Sequence, residues 1–225
     1  MPAPVKKAIE RAGIPPAIPA ANFKLLEGIL WEPRDGCFLL DYHIERLQRS
    51  SAHFHFPLDA GALRQQLSDF AATLPALPRK IRLALAADGI VTLSAEAVKP
   101  STPLVAVLSS EAIDSADPIR RHKTDQREVF DRALAAHPEA HDVLLQNERH
   151  ELTETCFGNL VLEIGGRKLT PPLSCGLQPG VFRAWLLDSQ EIQEAVLPAD
   201  SLSKASRIFM INSVRKWCPI QLLGQ

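Results

Sequence analysis

The stretch Glu151-Leu-Thr-Glu-Thr-Cys-Phe-Gly-Asn-Leu-Val-Leu-Glu-Ile-Gly-Gly-Arg-Lys-Leu-Thr-Pro-Pro-Leu173 decides the fold. Glu151 to Phe157 and Leu160 to Ile164 read as short strands, rich in β-branched and apolar residues. Gly165-Gly166 then offers a tight turn, so Leu160 to Ile164 and Lys168 to Leu173 predict a hairpin. Upstream, Asp142 to Gln146 reads as a further strand, and Leu104 to Leu108 as another. Between them Val129, Phe130, Ala133 and Leu134 share a helical face. Downstream, a helix is expected from near Gly180, a helical stretch over Glu191 to Ala205, and a buried strand over Arg207 to Val214.

The first half repeats this grammar. Phe23 to Trp31 predicts a strand, Pro33-Arg-Asp-Gly36 a turn, and Cys37 to Leu40 a return strand. From His43 the period becomes helical, with Ile44, Leu47, Ser51 and Phe54 on one face. Leu63, Leu67, Phe70 and Leu74 mark a second helix after Asp59. Ile81, Leu83 and Leu85 alternate with Arg82 and Ala84. After Asp88-Gly89, Val91, Leu93 and Ala95 do the same, which predicts a hairpin. Residues 1–22, with Pro2, Pro4, Pro15, Pro16 and Pro19, read as an N-terminal arm holding at most a short helix between Val5 and Ala12. Lys99-Pro-Ser-Thr-Pro103 reads as a linker between a small domain, 23–99, and a larger one, 104–225. Antiparallel strands with flanking helices make both halves α+β.

Composition removes several function classes. The 225 residues are 46% hydrophobic and 23% charged, which excludes collagen-like and wholly disordered chains. Lys+Arg 25 against Asp+Glu 26 leaves a net charge of -1, so no general field draws in nucleic acid or anionic lipid. A local anion site is still open. No apolar run reaches the roughly 20 residues of a membrane helix. The start, Met1-Pro-Ala-Pro-Val-Lys-Lys7, lacks a secretory signal's apolar core. Cys37, Cys156, Cys175 and Cys218 form no Cys-x-x-Cys pair, and the expectation is reduced thiols in a cytoplasmic protein with no metal site. His53 and His55 have metal-ligand spacing on a strand but fall at a helix end beside Phe54 and Phe56, where packing is expected.

Four local patterns bear on chemistry. Arg121-His-Lys-Thr124 precedes a helix. Taken singly Lys123 reads as a solvent-facing group, whereas buried among cations it would be a nucleophilic amine near neutral pH. In Glu151-Leu-Thr-Glu154, Glu154 shares its strand face with Leu152 and Cys156, a costly place for a carboxylate without a partner. The bland reading is a partnered edge-strand acid, and the sharper one a carboxylate that keeps a pyridinium nitrogen protonated. Gly176-Leu-Gln-Pro-Gly180 feeds a helix whose first N–H groups, on Val181 and Phe182, would face an anion. His43-Ile-Glu-Arg46 places an arginine early in a helix.

In order and spacing these pieces resemble the class IV family of pyridoxal-phosphate enzymes. That family holds branched-chain and D-amino-acid aminotransferases and 4-amino-4-deoxychorismate lyase. The resemblance runs from Phe23 to Pro219. It is carried by Phe23-Lys-Leu-Leu-Glu27, His43-Ile-Glu-Arg-Leu-Gln-Arg-Ser-Ser-Ala52, His122-Lys-Thr124, Asp142-Val-Leu-Leu-Gln-Asn147, the Glu151 to Asn159 stretch, Leu169-Thr-Pro-Pro-Leu173, Gly176 to Gly180 and Asn212-Ser-Val-Arg215. His-Lys-Thr and Asn-Ser-Val-Arg look most like the lyase.

The resemblance implies a two-domain fold, an N-terminal α+β sandwich and a C-terminal α/β barrel-like domain, with pyridoxal 5'-phosphate between them. It implies that Lys123 links covalently to the cofactor and shuttles the proton, and that Glu154 pairs with the pyridine nitrogen. Arg46, the N–H groups of Val181 and Phe182, and Ser213 with its neighbour Asn212 would hold the phosphate, and Asn159 would brace the site. Arg215, and more distantly Arg82, are candidates for substrate carboxylates. A homodimer is implied, with aminodeoxychorismate synthase as a further candidate partner. Departures exist: a proline-rich arm replaces the family's first strand and Gly-Asp-Gly turn, Phe182 replaces a frequent threonine, and Gly28 follows Glu27 where a threonine is frequent. Three functions therefore compete: the lyase of folate synthesis, a small aminotransferase for D- or branched-chain amino acids, and a non-catalytic homologue that keeps the fold.

Overall fold

The computed structural model describes residues 23–98 and 102–224. The proline-rich arm and most of the expected linker lie outside them. In β1 (Leu25–Glu32) side chains alternate, so Leu25, Glu27 and Ile29 share a buried face. β3 (Arg79–Leu85) adds Ile81, Leu83 and Leu85 to that face. Two helices cover it, α1 (Leu40–Phe54) and α2 (Ala60–Ala72), through Ile44, Leu47, Leu63 and Leu67. Asp59 caps α2 by accepting the Gly61 and Ala62 N–H groups. With β2 (Gly36–Cys37) and β4 (Val91–Ala97) the sheet has the antiparallel order β2-β1-β3-β4. The expected return strand is cut to two residues, because Leu39 takes a left-handed φ of 53° and the helix begins at Leu40 rather than His43.

The second half forms β5 (Leu104–Ile113), α3 (Glu128–Ala136), β6 (Asp142–Asn147), β7 (Leu152–Thr155), β8 (Asn159–Ile164), β9 (Arg167–Thr170), α4 (Val181–Asp188), β10 (Gln193–Glu194), β11 (Arg207–Asn212) and β12 (Lys216–Leu222). Strand order is β10-β9-β8-β11-β12-β5-β6-β7, and β7 also pairs with β8 through Glu154 and Asn159. That last pairing closes β7, β8, β11, β12, β5 and β6 into a barrel. Leu104, Ala106, Leu144, Leu152, Leu160, Met210 and Ile220 pack together in one cluster, whereas Val143, Leu145 and Ala133 pack in another with α3. The α+β class holds, as does the pairing of a sandwich with a barrel.

Three local expectations fail for identifiable reasons. Glu191 to Ala205 is not helical: Pro198 interrupts it, leaving β10 parallel to β9 and a 3-10 turn over Ala199–Lys204. β12 was not expected at all, and it carries Pro219, which has no N–H to give a ladder. It is tolerated because the ladder to β5 starts one residue later, at Ile220. Leu152 and Cys156 do not flank Glu154 in one apolar cluster: β7 stops at Thr155, and Cys156 packs with Val143 and Leu145 while Leu152 joins the Leu160 cluster. No disulfide joins the four cysteines, and no described helix is long and apolar enough to cross a membrane.

Candidate active site

Lys123 is fixed by its backbone. A 3-10 turn over Pro118–Arg121, capped by the Asp117 carboxylate on the Ile119 N–H, delivers the chain in extended form at His122. It then runs alongside the start of β1. The Lys123 carbonyl accepts the Leu26 N–H at 2.8 Å, and the Asp125 N–H reaches the Lys24 carbonyl at 3.1 Å. The side chain is half-buried. Burial first, then the Arg46 guanidinium with a smaller push from Arg127, lowers its pKa to about 8, and Glu27 and Glu154 offset this only in part. The flanking His122 is held by the Ser50 hydroxyl at 2.9 Å and stacks on His53, so His53 packs as expected.

Glu154 is buried in β7. Arg120 donates to one carboxylate oxygen at 3.1 Å and the Gln178 N–H to the other at 3.2 Å. Burial pushes its pKa up to about 7, against the pull of Arg120, the Gln178 N–H, Lys123 and Arg127. Arg120 escaped the sequence reading. The demand for a partner was legible in the apolar strand pattern, but the partner's identity depends on the tertiary fold.

The loop 176–180 joins the remaining pieces. Its Gln178 carbonyl accepts from Asn159 at 2.9 Å, and its Pro179 carbonyl from Arg46 at 3.1 Å. A Cβ on Gly180 would stand 1.9 Å from the Asn159 side-chain oxygen, so only glycine lets the chain pass into α4. No side chain caps α4, which leaves the Val181 and Phe182 N–H groups without the usual acceptor. Arg46 commits its Nε and one terminal nitrogen to Glu27, at 2.8 and 2.5 Å. His43 adds a 2.6 Å bond to the same carboxylate, and its Nε2 is buried with no partner among the described residues. Glu27 and His43 stood inside quoted motifs without a role, and their pairing with Arg46 was not foreseen.

Burial alone would raise the Glu27 carboxyl, yet Arg46 and His43 hold it at about 2. Glu27→Ala strands the buried Arg46 charge and is expected to destabilise the fold by roughly 3–5 kcal/mol. Thermal melting checks it, since each kcal/mol moves Tm by about 2–4 °C in a chain of this size. The wild-type contribution is complete above about pH 4.5 and fades as pH falls toward 2, because the folded pKa lies below the unfolded one.

The β11–β12 turn carries the other candidates. Asn212 accepts the Val214 and Arg215 N–H groups and donates to the Phe157 carbonyl at 3.1 Å, so its amide shapes the turn. Ser213 donates to the Gly28 carbonyl at 3.2 Å, beside Glu27. Arg215 is half-buried and slightly opposes the burial that raises the Asp142 carboxyl to about 6. Arg82 belongs to the strand neighbouring β1. It is exposed on β3, opposite Gly28, and donates to Glu96 at 2.9 Å. Cys156 is not a nucleophile, as burial pushes its thiol up to about 12.

A small α+β sheet beside a closed six-stranded barrel is the fold shared with class IV aminotransferase structures. A family profile described as "Amino-transferase class IV" matches residues 24–223, and the chain belongs to that family. It is 35% identical to a crystal structure from Mesorhizobium loti described as a "Putative amino-acid aminotransferase". That match covers 90% of this chain and 100% of the other, at a TM-score of 0.84. A Schizosaccharomyces pombe protein named "Putative aminodeoxychorismate lyase" is 27% identical over 203 residues, 84% of this chain and 85% of the relative. The branched-chain amino acid aminotransferase of Escherichia coli shares the fold at 19% identity and a TM-score of 0.78, over 91% of this chain and 78% of that one.

Proposed function

We propose that this chain is a pyridoxal-phosphate-dependent lyase that converts 4-amino-4-deoxychorismate to p-aminobenzoate and pyruvate. One observation carries the cofactor: Lys123, an amine with a pKa of about 8, stands within electrostatic reach of both buried Glu154 and Arg46. A phosphorylated aromatic aldehyde with a basic ring nitrogen asks for that donor set. It needs an amine for the aldehyde carbon, a carboxylate for the ring nitrogen and an anion site for the phosphate. The uncapped start of α4, with Arg46 held beside it through Pro179, fits the phosphate.

When bound, the cofactor supplies an electron sink for charge developing on the substrate's amino-bearing carbon. Lys123 would hold the cofactor and, once displaced by the substrate amine, remove the proton from that carbon and return one to the departing enolpyruvate. Glu154 would keep a proton on the ring nitrogen. The Val181 and Phe182 N–H groups, the unused donors of Arg46 and the Ser213 hydroxyl would hold the phosphate. Asn159, already bonded to Gln178, would brace the wall, and Arg215 would meet a substrate carboxylate. The same reading makes the protein a cytoplasmic homodimer that takes its substrate from an aminodeoxychorismate synthase.

The choice of lyase leans on the His-Lys-Thr and Asn-Ser-Val-Arg motifs and on the name of the fission-yeast relative. The description of the Mesorhizobium structure favours a second reading, an amino-acid aminotransferase. Pyruvate release separates them. Protein loaded with pyridoxal phosphate should release pyruvate stoichiometrically from aminodeoxychorismate with no keto acid added, and a strict requirement for 2-oxoglutarate would overturn the lyase. A protein that stays colourless with pyridoxal phosphate, and that borohydride cannot label at Lys123, would overturn both and leave a binding module.

A further inference from the structure

Glu154 is faced by four titratable or charged side chains, and they differ in how they reach it. Lys123 and Arg127 act through space. Arg127 spends a donor on the Cys156 carbonyl at 2.9 Å and stacks on the Phe130 ring at 4.9 Å. Cys156 carries no charge near neutral pH. Arg120 alone brings a cation into hydrogen-bond contact, and both partners are more than nine-tenths buried.

Arg120 does not depend on Glu154 for its own placement. Its Nε donates to the Gly176 carbonyl at 2.9 Å, and its guanidinium lies over the Phe130 ring, 5.3 Å from the ring centre. Gly176 holds that carbonyl in place with φ +92°, and a Cβ there would stand 2.5 Å from the Ser115 backbone. Two residues on, the same loop sends the Gln178 N–H to Glu154. Arg120 also lines a cavity of about 100 Å³ with His122, Arg127 and Gln178, room for a few waters beside the ion pair.

Resting on the cofactor reading above, we propose that Arg120 is a positioning residue that favours the ionised form of Glu154, against the burial that opposes it, before the cofactor arrives. It thereby sets the pH range in which the site accepts a protonated ring nitrogen. A neutral Glu154 offers no counter-charge, so apparent affinity scales with the ionised fraction.

The test uses the full chain as wild type, Arg120→Met and Arg120→Lys. Infrared carboxyl titration of cofactor-free protein, assigned against Glu154→Gln, reads Glu154 directly. Arg120→Met should raise its midpoint by roughly 1–3 pH, the effect of losing an adjacent opposite charge. Near pH 7.5 the affinity for pyridoxal phosphate, read by absorbance, should fall on the order of 10-fold and recover as pH rises. Arg120→Lys keeps a cation and should return most of the shift. Affinity lost equally at every pH, with an unmoved midpoint, makes Arg120 a prop and overturns the proposal. Should Arg120→Met fail to fold by circular dichroism, Arg120→Gln decides: an upward shift of the Glu154 midpoint supports the idea, and no shift overturns it. Wild type that binds no pyridoxal phosphate at any pH, while the Glu154 midpoint still follows Arg120, sinks the cofactor reading and leaves the pair standing.

Discussion

Lys123→Met is expected to lose turnover by at least ~10³-fold while gaining thermal stability at neutral pH. The loss follows from removing both the amine that would hold the cofactor and the base that would move the substrate proton. The gain follows from linkage. The folded pKa, about 8, lies below a lysine's ordinary 10.5, so between these limits the unfolded chain binds more protons and stability rises with pH. Below about pH 8 the native charge is present at a cost on the order of 3 kcal/mol. Methionine keeps the length and removes the charge. Calorimetry should find the variant several degrees more stable near pH 7 and indistinguishable above about pH 10.5. Equal stability at both pH values would mean that Lys123 is not burdened by its surroundings. In wild type, borohydride-fixed labelling of Lys123 should rise with pH to a plateau, with its midpoint near 8.

Much of this site was legible before the fold was known. Local rules placed the capped start of α2 at Asp59, the Gly165-Gly166 hairpin, and the helix that follows Gly180. Strand alternation marked Glu154 as a carboxylate in apolar surroundings, and so as one in need of a partner. What alternation could not supply was the partner. Arg120 and Glu154 are 34 positions apart in sequence, and Arg46 and Glu27 are 19 apart. Such pairs form only when the 3-10 turn docks on the barrel and α1 docks on β1. β12 went unread, since only the strand before it, Arg207 to Val214, was expected, although its Pro219 is harmless to a ladder with β5 that starts at Ile220. Glu191 to Ala205 failed by reading a helical period through Pro198. The substrate-side residues were the least legible. A cation's sequence position does not say which group it will meet, as Arg82, paired by the fold with Glu96 of β4, shows.

Glu154→Gln should reveal the same opposition between site and stability from the acidic side. Its folded pKa, about 7, lies above a glutamate's ordinary 4.5, so across that window the native state binds more protons and stability falls as pH rises. Above about pH 7 the penalty is complete and on the order of 3 kcal/mol, even with Arg120 in contact. Glutamine matches the neutral acid in shape and leaves Arg120 facing a neutral group, as the protonated wild type does. The two proteins should therefore melt together near pH 4.5 and separate toward pH 8, with the variant higher. Catalysis should fall on the order of 10²-fold or more, since glutamine cannot keep a ring nitrogen protonated. Pyridoxal phosphate should then raise the melting temperature of wild type more than that of the variant above pH 7, because only wild type has a buried negative charge for the ring nitrogen to neutralise. Equal rises would show that the ring nitrogen does not meet Glu154.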